Sequence, residues 1–276
     1  MRFIFSNACS LVLSGLLLCM ASGFGADPEV EEIIRQSTEH QSRNWKLASD
    51  YTFTETDVVT EKGEENRRTF KVLMLDGSPY NQIIAEDGHP LTPERQAAEQ
   101  KKLQEEITRR NRESPSDRRR RIESYQRSRE QEHTMFGEMV NAFDFRLVGR
   151  APMNGRDCYV LEATPRSGYE PTSNETKVLT GMRGKLWIDT RDYQWVKVQA
   201  SVFRSVPIHL FIANVRPGTE FTLEQAPVDR DLWLPTHFVT TVRATALLLW
   251  SKNYTRDETY FDYRRAGSSS RDAAEQ

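Results

Sequence analysis

Two hydrophobic periods divide the chain. Val30, Ile33, Ile34 and Ser37 fall at helical spacing, and Trp45 and Leu47 extend the same side, so the pattern predicts an amphipathic helix over 28–48. Asp27 is placed to cap it, Pro28 suits its first turn, and Glu29, Glu31 and Glu32 sit near its positive end. From Tyr51 the period drops to two. Residues 51–56, 69–74 and 80–85 alternate, with turn residues around Gly63, at Asp76-Gly77-Ser78-Pro79 and at Asp87-Gly88. Short β-prone runs divided by such turns predict an antiparallel meander.

Residues 92–142 return to a helical pattern. Thr92 and Pro93 open one helix, and Ser114-Pro115-Ser116-Asp117 divides the stretch into two. Apolar residues are scarce until Met135, Phe136, Met139, Val140 and Phe143 restore an apolar face. Alternation then resumes at 145–148, 158–164, 183–189, 195–203, 220–225, 234–244, 246–253 and 259–263. Asn154-Gly155 and the turn from Asp189 to Asp192 mark hairpins, and 166–178 reads as a polar loop. In 195–203 the even positions Val196, Val198, Ala200 and Val202 are apolar, so one face is buried and the other wet. The run 245–250 is apolar at both parities. It reads as a central strand covered on both faces, as a strand lining a hydrophobic cavity, or as both.

The first 25 residues are of another kind. Arg2 precedes a short apolar run rich in leucine, shorter than the roughly 20 residues that span a bilayer, and small residues precede Ala26. They read as a signal peptide cleaved between Gly25 and Ala26, which places the mature chain in the periplasm. Leu18 stands before Cys19 where lipidation requires a small residue, so a lipid-anchored form is not expected. Loss of Cys9 and Cys19 leaves Cys158 as the sole thiol, expected to be buried in a strand, and excludes an intramolecular disulfide. Residues 266–276 read as a disordered tail.

Composition narrows the class. The chain has 276 residues, 37% hydrophobic and 10% aromatic, with a net charge of −2, which excludes wholesale disorder and a multi-span membrane protein. The charge is uneven: residues 94–132 carry 12 basic and 9 acidic side chains. Arg118, Arg119, Arg120 and Arg121 form a solvated helix face or a contact for anionic membrane headgroups. Flanking Asp117 and Glu123, together with export, argue against nucleic acid.

Catalytic signatures are missing. His40, His89, His133, His209 and His237 include no metal-ligand spacing, and there is no nucleophile elbow, P-loop or dinucleotide fingerprint. The pairs Asp189/Asp192 and Asp229/Asp231 flank turns, where backbone hydrogen bonds account for them. No catalytic residue, metal or cofactor is therefore expected, and the chain does not read as an enzyme. Acid–base chemistry would need His209 or His237 beside a carboxylate in a polar cleft.

The stretch from Gly184 through Trp187-Ile188-Asp189 to Trp195-Val196-Lys197-Val198, and the later Asp231-Leu232-Trp233-Leu234-Pro235, resemble hairpins of the LolA-like superfamily. That superfamily includes outer-membrane lipoprotein-sorting proteins, LppX-like lipid carriers and the RseB sensor domain. The likeness covers most of 28–265. It implies an α+β, mainly antiparallel β fold: a half-open LolA-like β-barrel with an N-terminal helix and a charged helical insertion (about 92–142) over the concave side. Residues 26–265 would form a single domain. The expected role is a periplasmic carrier or sensor for a lipid, acyl chain or lipoprotein, working as a monomer. The alternative is an envelope protein–protein interaction module without lipid cargo. From the apolar parities, the candidate lining residues are Phe70, Val72, Met74, Leu186, Ile188, Val196, Val198, Leu247 and Leu249.

Overall fold

The structure, a computed structural model, describes residues 27–208, 213–246 and 250–266. The expected signal peptide, His209, Leu247, Leu249 and the tail beyond residue 266 lie outside the described residues. Helix α1 (Pro28–Ala48) leads into a meander of β1 (Tyr51–Glu61), β2 (Glu64–Leu75), β3 (Ser78–Glu86) and the short β4 (His89–Pro90). Helices α2 (Pro93–Asn111) and α3 (Pro115–Ala142) follow, then β5 (Phe143–Met153), β6 (Arg156–Pro165), a 3-10 segment (Thr176–Gly181), β7 (Met182–Asp189) and β8 (Trp195–Val202). The chain ends through β9 (Val206–Ile208), β10 (Ala213–Val215), β11 (Glu220–Asp229), β12 (Leu232–Ala246) and β13 (Trp250–Arg265).

One antiparallel sheet holds all the described strands, in the order β4-β3-β2-β1-β13-β12-β11-β8-β7-β6-β5, with β10 on β12 and β9 on β10. The two ends of this path, β4 and β5, do not pair, so the barrel stays open. A twisted sheet of this size curls, and α1 and the C-terminal half of α3 occupy the concave side.

Local chemistry explains the turns. Lys62-Gly63, Asp76-Gly77, Asp87-Gly88 and Asn154-Gly155 each have both residues at positive φ, the conformation that matches two-residue hairpins to strand twist. The loop expected around Gly63 is therefore only these two residues. At α1, the Asp27 side chain accepts from Glu29 N at 3.0 Å and Pro28 takes the first turn. Val30, Ile33 and Ile34 enter the main core with Leu161, Leu186, Ile188 and Val198. The far end of α1 is fixed by polar bonds: Asn44 Nδ2 donates to Gln194 Oε1 at 2.8 Å, and its Oδ1 accepts from Trp233 N at 3.3 Å.

Three features differ from the sequence reading. First, β8 carries a bulge: Trp187 pairs with Lys197 but Ile188 pairs with Trp195, so Val196 is an extra residue. Val196 therefore leaves the face of Val198 and packs with Cys158 and Trp233 on the outer side. Second, 250–253 and 259–263 are not separate strands: both belong to β13, and Ala246, the first residue of the expected strand, instead ends β12 and pairs with Trp250. Third, the charged insertion is divided between the two faces. Gln82 of β3 donates to Gln100 of α2 at 3.2 Å, and Gln82 pairs with Lys71, whose parity is opposite to that of Phe70 and Val72. Helix α2 thus covers the outer face, and only α3 reaches the concave side.

The passage from one face to the other is held by Arg110, which is 6% exposed. Its guanidinium donates to the carbonyls of Leu75, Ser78 and Pro79 and to Glu106 Oε1. Arg121 adds a bond to Ser78 Oγ at 2.7 Å and a forked pair with Glu113. Removing the Arg110 side chain takes a charged donor from three carbonyls, while Glu106 keeps two bonds from Arg109. We expect Arg110→Ala to cost at least about 1.5–3 kcal/mol locally and to make the α2–α3 junction at 112–114 rapidly cleavable by protease while the sheet keeps its far-ultraviolet signal.

A second close approach lies in the sheet. A Cβ at Gly184 would stand 2.4 Å from the Gln199 carbonyl oxygen of β8, a backbone atom that cannot rotate away. Gly184→Ala should therefore push β7 from β8 and cost roughly 1–3 kcal/mol. Thermal melting should fall by about 2–4 °C per kcal/mol for a chain of this size.

Candidate functional site

The concave face can be followed along a single row of paired residues. Leu161, Leu186, Val198, Leu223, Phe238, Glu258, Asp57 and Arg68 are register partners across eight strands. Directly paired residues share a face. The row is apolar from β6 to β12 and charged from β13 to β2, with its seam between Phe238 and Glu258.

Under α1 the apolar half is filled. The void left among Ile34, Met139, Phe143, Leu186, Val198 and Phe221 is about 30 Å³. That is the volume of about one water. Beside it, toward the seam, a cavity of about 530 Å³ opens between α1, α3 and the sheet. Trp45 and Ala48 wall it from α1, Phe136, Gly137 and Val140 from α3, and Trp195, Leu223, Leu234 and Phe238 from the sheet. Glu258 and Tyr260 form its polar end.

The cover over this cavity is made of rings. His133 stacks on Trp45 with centroids 4.3 Å apart, and Phe136 meets Trp195 edge-on at 5.9 Å. The Arg129 guanidinium lies 4.5 Å over the Trp45 ring and donates to the Trp45 carbonyl, near the negative end of α1. Two polar groups in the wall are unsatisfied: Trp45 Nε1 and Trp195 Nε1 are both buried without a hydrogen-bond partner, and Trp195 as a whole is 5% exposed. An unpaired buried donor costs about 1–3 kcal/mol, and a core closed on its own side chains would avoid it.

Beyond the seam lies an acidic cluster. Tyr260 Oη donates to Glu258 Oε2 at 3.0 Å, and Glu55 pairs with Tyr260 in register. Arg256 stands 3.5 Å from both Asp57 and Glu258. That distance makes an ion pair with Asp57 but no hydrogen bond, and Asp57 Oδ1 is buried without one. Three carboxyls thus share one guanidinium. Burial, followed by the charges of Glu258 and Asp57, pushes the Glu55 carboxyl up to about 7 against the pull of Arg256. Burial likewise raises Glu258, and the phenols of Tyr260 and Tyr263 lie well above their ordinary range.

The seven sequence-derived lining positions that lie among the described residues do not border the 530 Å³ cavity. Leu186, Ile188 and Val198 lie in the filled core under α1, and Leu186 and Val198 border its small void. Phe70 and Val72 share the concave face farther along, paired with Glu55 and Phe53, and Met74 follows them on β2. Val196 faces outward, and Leu247 and Leu249 are outside the described residues. The sequence reading missed Trp45, Trp195, Phe136, Phe238, Glu258 and Tyr260 as neighbours, although the alternation of Phe238 and Tyr260 in their strands was visible. Each arginine of the run has an acidic partner: Arg118 with Asp76, Arg119 with Glu123, Arg120 with Asp117 and Arg121 with Glu113. His237 Nε2 does lie 2.9 Å from Asp257 Oδ1, but on the outer face, away from the cavity. Cys158 is fully buried, and burial pushes its thiol up to about 11, so it is inert at neutral pH. Among the described residues no cluster could hold a metal ion, and no helix is long and apolar enough to cross a membrane.

No protein-family model matches this sequence, and no curated protein matches it. Among solved structures, a putative outer membrane lipoprotein-sorting protein domain from Vibrio parahaemolyticus is 14% identical, with 85% of this chain and 92% of that one covered at a TM-score of 0.35. A LolA superfamily protein from Nitrosomonas europaea is 9% identical over 85% and 92% of the two chains, at 0.32. The MucA/MucB complex of Pseudomonas aeruginosa is 13% identical over 86% and 96%, at 0.21. At these values the likeness assigns no role to any residue of this chain. Its open antiparallel half-barrel with an N-terminal helix on the concave face is the architecture expected of a LolA-like chain.

The raised Glu55 carboxyl gives a signed prediction. Folding favours its protonated form, so that contribution is complete below about pH 4.5 and is lost as pH rises toward 7. Glu55→Gln should therefore be near neutral at pH 4 and stabilising at pH 8. The gain is on the order of 1–2 kcal/mol, discounted because the group is only partly buried. Urea denaturation at the two pH values measures it; a difference that does not change with pH would contradict the assignment.

Proposed function

We propose that this chain is an exported periplasmic binding protein, not a catalyst, and that it holds a hydrophobic ligand in the α1–α3 cavity as a carrier or sensor. The ligand class is a lipid, a free acyl chain or the acylated end of a lipoprotein. The observation that carries this reading is the cavity itself. Its volume of about 530 Å³ lies within the range of about 300–1,000 Å³ typical of small-molecule sites. Its wall is mostly aromatic and aliphatic in area, and the Trp45 and Trp195 N–H groups in it lack partners. Each methylene moved from water into such a space gains about 0.8 kcal/mol, so an acyl segment of several carbons offsets the cost of ordering it.

The test is direct. The full chain, exported in a Gram-negative host and released without detergent, is expected to carry one lipid-sized adduct in native mass spectrometry that solvent extraction removes. Phe136→Asp, at a position already 38% exposed, should weaken binding of a fluorescent acyl probe at least tenfold without unfolding the sheet. A protein that carries no adduct and shows no saturable probe binding would refute the reading. The alternative, an envelope interaction module without lipid cargo, would then stand.

A further inference from the structure

Where α3 crosses the α1–α3 cavity, the wall has hydrogen-bond donors without acceptors. Arg129 and His133 line it one turn apart, and Trp45 lies against both, with the guanidinium 4.5 Å over its ring and the imidazole stacked at 4.3 Å. Arg129 donates to Gln126 Oε1 and to the Trp45 carbonyl, both neutral, and among the described residues no carboxylate pairs with it. Arg118, Arg119, Arg120 and Arg121 of the same helix each have an acidic partner. Two further donors stand in this wall, since Trp45 Nε1 and the Nε1 of the 5% exposed Trp195 are buried without a partner. The rings that meet these indoles, His133 and Phe136, are three residues apart on α3, so both indoles flank one short stretch of the cavity. The acceptors of the lining are spent elsewhere. Gln41 and Gln225 bond to each other, and Asn44 bonds to Gln194 and Trp233 N. Glu258, the only carboxylate among the lining residues, accepts from Tyr260 Oη at 3.0 Å and stands 3.5 Å from Arg256.

We propose that the α1–α3 cavity selects an acyl chain ending in a free carboxylate, with the carboxylate on the Arg129 guanidinium and the Trp45 and Trp195 N–H groups and the chain against Val140, Leu223, Leu234 and Phe238. This rests on the reading that the cavity takes an apolar ligand, and it adds the chemistry of the head group. A carboxylate is an acceptor only, with two oxygens and about four lone-pair sites, enough for both indoles and the guanidinium. Its bond to Arg129 joins two opposite charges, the stronger kind of hydrogen bond. An ammonium head has no lone pair to offer an indole N–H and is repelled by Arg129. A hydroxyl head accepts from one donor but leaves the guanidinium without a counter-charge. To reach the indoles the carboxylate parts the ring contacts of His133 and Phe136, so binding changes the surroundings of Trp45 and Trp195 directly.

The experiment compares dodecanoate, dodecan-1-ol and dodecylamine, each monomeric in solution at neutral pH, by calorimetry and indole fluorescence on the full exported chain after removal of any endogenous lipid. Dodecanoate is expected to bind about tenfold more tightly than the alcohol, the factor that one charge-assisted hydrogen bond supplies, and the amine most weakly. Arg129→Gln should abolish the preference for dodecanoate while changing the affinity for the alcohol by no more than about twofold, and Arg129→Lys should keep part of the preference. Trp45→Phe, which leaves a ring against His133, should weaken dodecanoate more than the alcohol. Arg119→Gln, at an exposed position of the same helix, should change neither. The head-group series on the unaltered protein keeps the test valid if these variants fail to fold. Equal binding of all three ligands, or a preference for the alcohol or the amine, overturns the carboxylate site and leaves the apolar-ligand reading intact. Failure of all three to bind overturns both.

Discussion

The strict alternation of side chains in an antiparallel sheet is the constraint on which the rest of this molecule depends. Once the hairpins fix the register, each strand has no freedom over which residues it presents to the concave side. Four two-residue turns with paired positive φ values set much of that register. The outcome is a row of partners that runs apolar from Leu161 to Phe238 and charged from Glu258 to Arg68. A one-residue slip of β13 would bring Asp257 or Thr259 to the seam in place of Glu258 and turn Tyr260 outward. Register thus decides the chemistry of the cavity as well as the stability of the sheet.

Where alternation is broken, function or packing changes sides. The bulge at Val196 lets Trp195 reach the cavity wall while Val196 fills the outer cluster with Cys158 and Trp233. Without the extra residue Trp195 would turn to the outer face and Val196 to the concave one. The bend at Asp262, with φ of 54°, works in the same way: it allows both Tyr260 and Tyr263 to pack against Phe53. These irregularities have no strong sequence signature, since neither Gln194-Trp195-Val196 nor Phe261-Asp262-Tyr263 contains glycine or proline.

The same physics explains what could be read in advance. The caps at Asp27 and Thr92, the break at 114–117, the two periods, the turn dipeptides and the buried thiol follow from local preferences, and each appears where the pattern placed it. The cavity depends on pairings between residues far apart in the chain. Trp45 meets His133, Trp195 meets Phe136, and Glu55 meets Tyr260, with separations that local periodicity does not encode. Apolar parity identified Leu186, Ile188 and Val198 correctly as inward-facing, but an inward-facing residue in the middle of α1's footprint is filled core. Cavity walls form where the footprint ends, and that boundary depends on where α1 and α3 come to rest.

The resting place of α3 is set at its two ends rather than over the cavity. At the sheet edge, Arg110 and Arg121 satisfy backbone carbonyls, Ser78 and two carboxylates with charge-assisted bonds in a mostly buried setting. Over the cavity, the helix is held by two ring contacts and by Arg129, which stacks on Trp45 and donates to its carbonyl. Beyond it, Met139, Val140 and the fully buried Ala142 pack on the main core. A rod of 28 residues fixed at both ends holds the segment between them in place. The polar anchoring of the charged insertion on the outer side of β2 and β3 and the core packing of its last turns thus together set how closely His133 and Phe136 approach Trp45 and Trp195, and so how much of the concave face remains open.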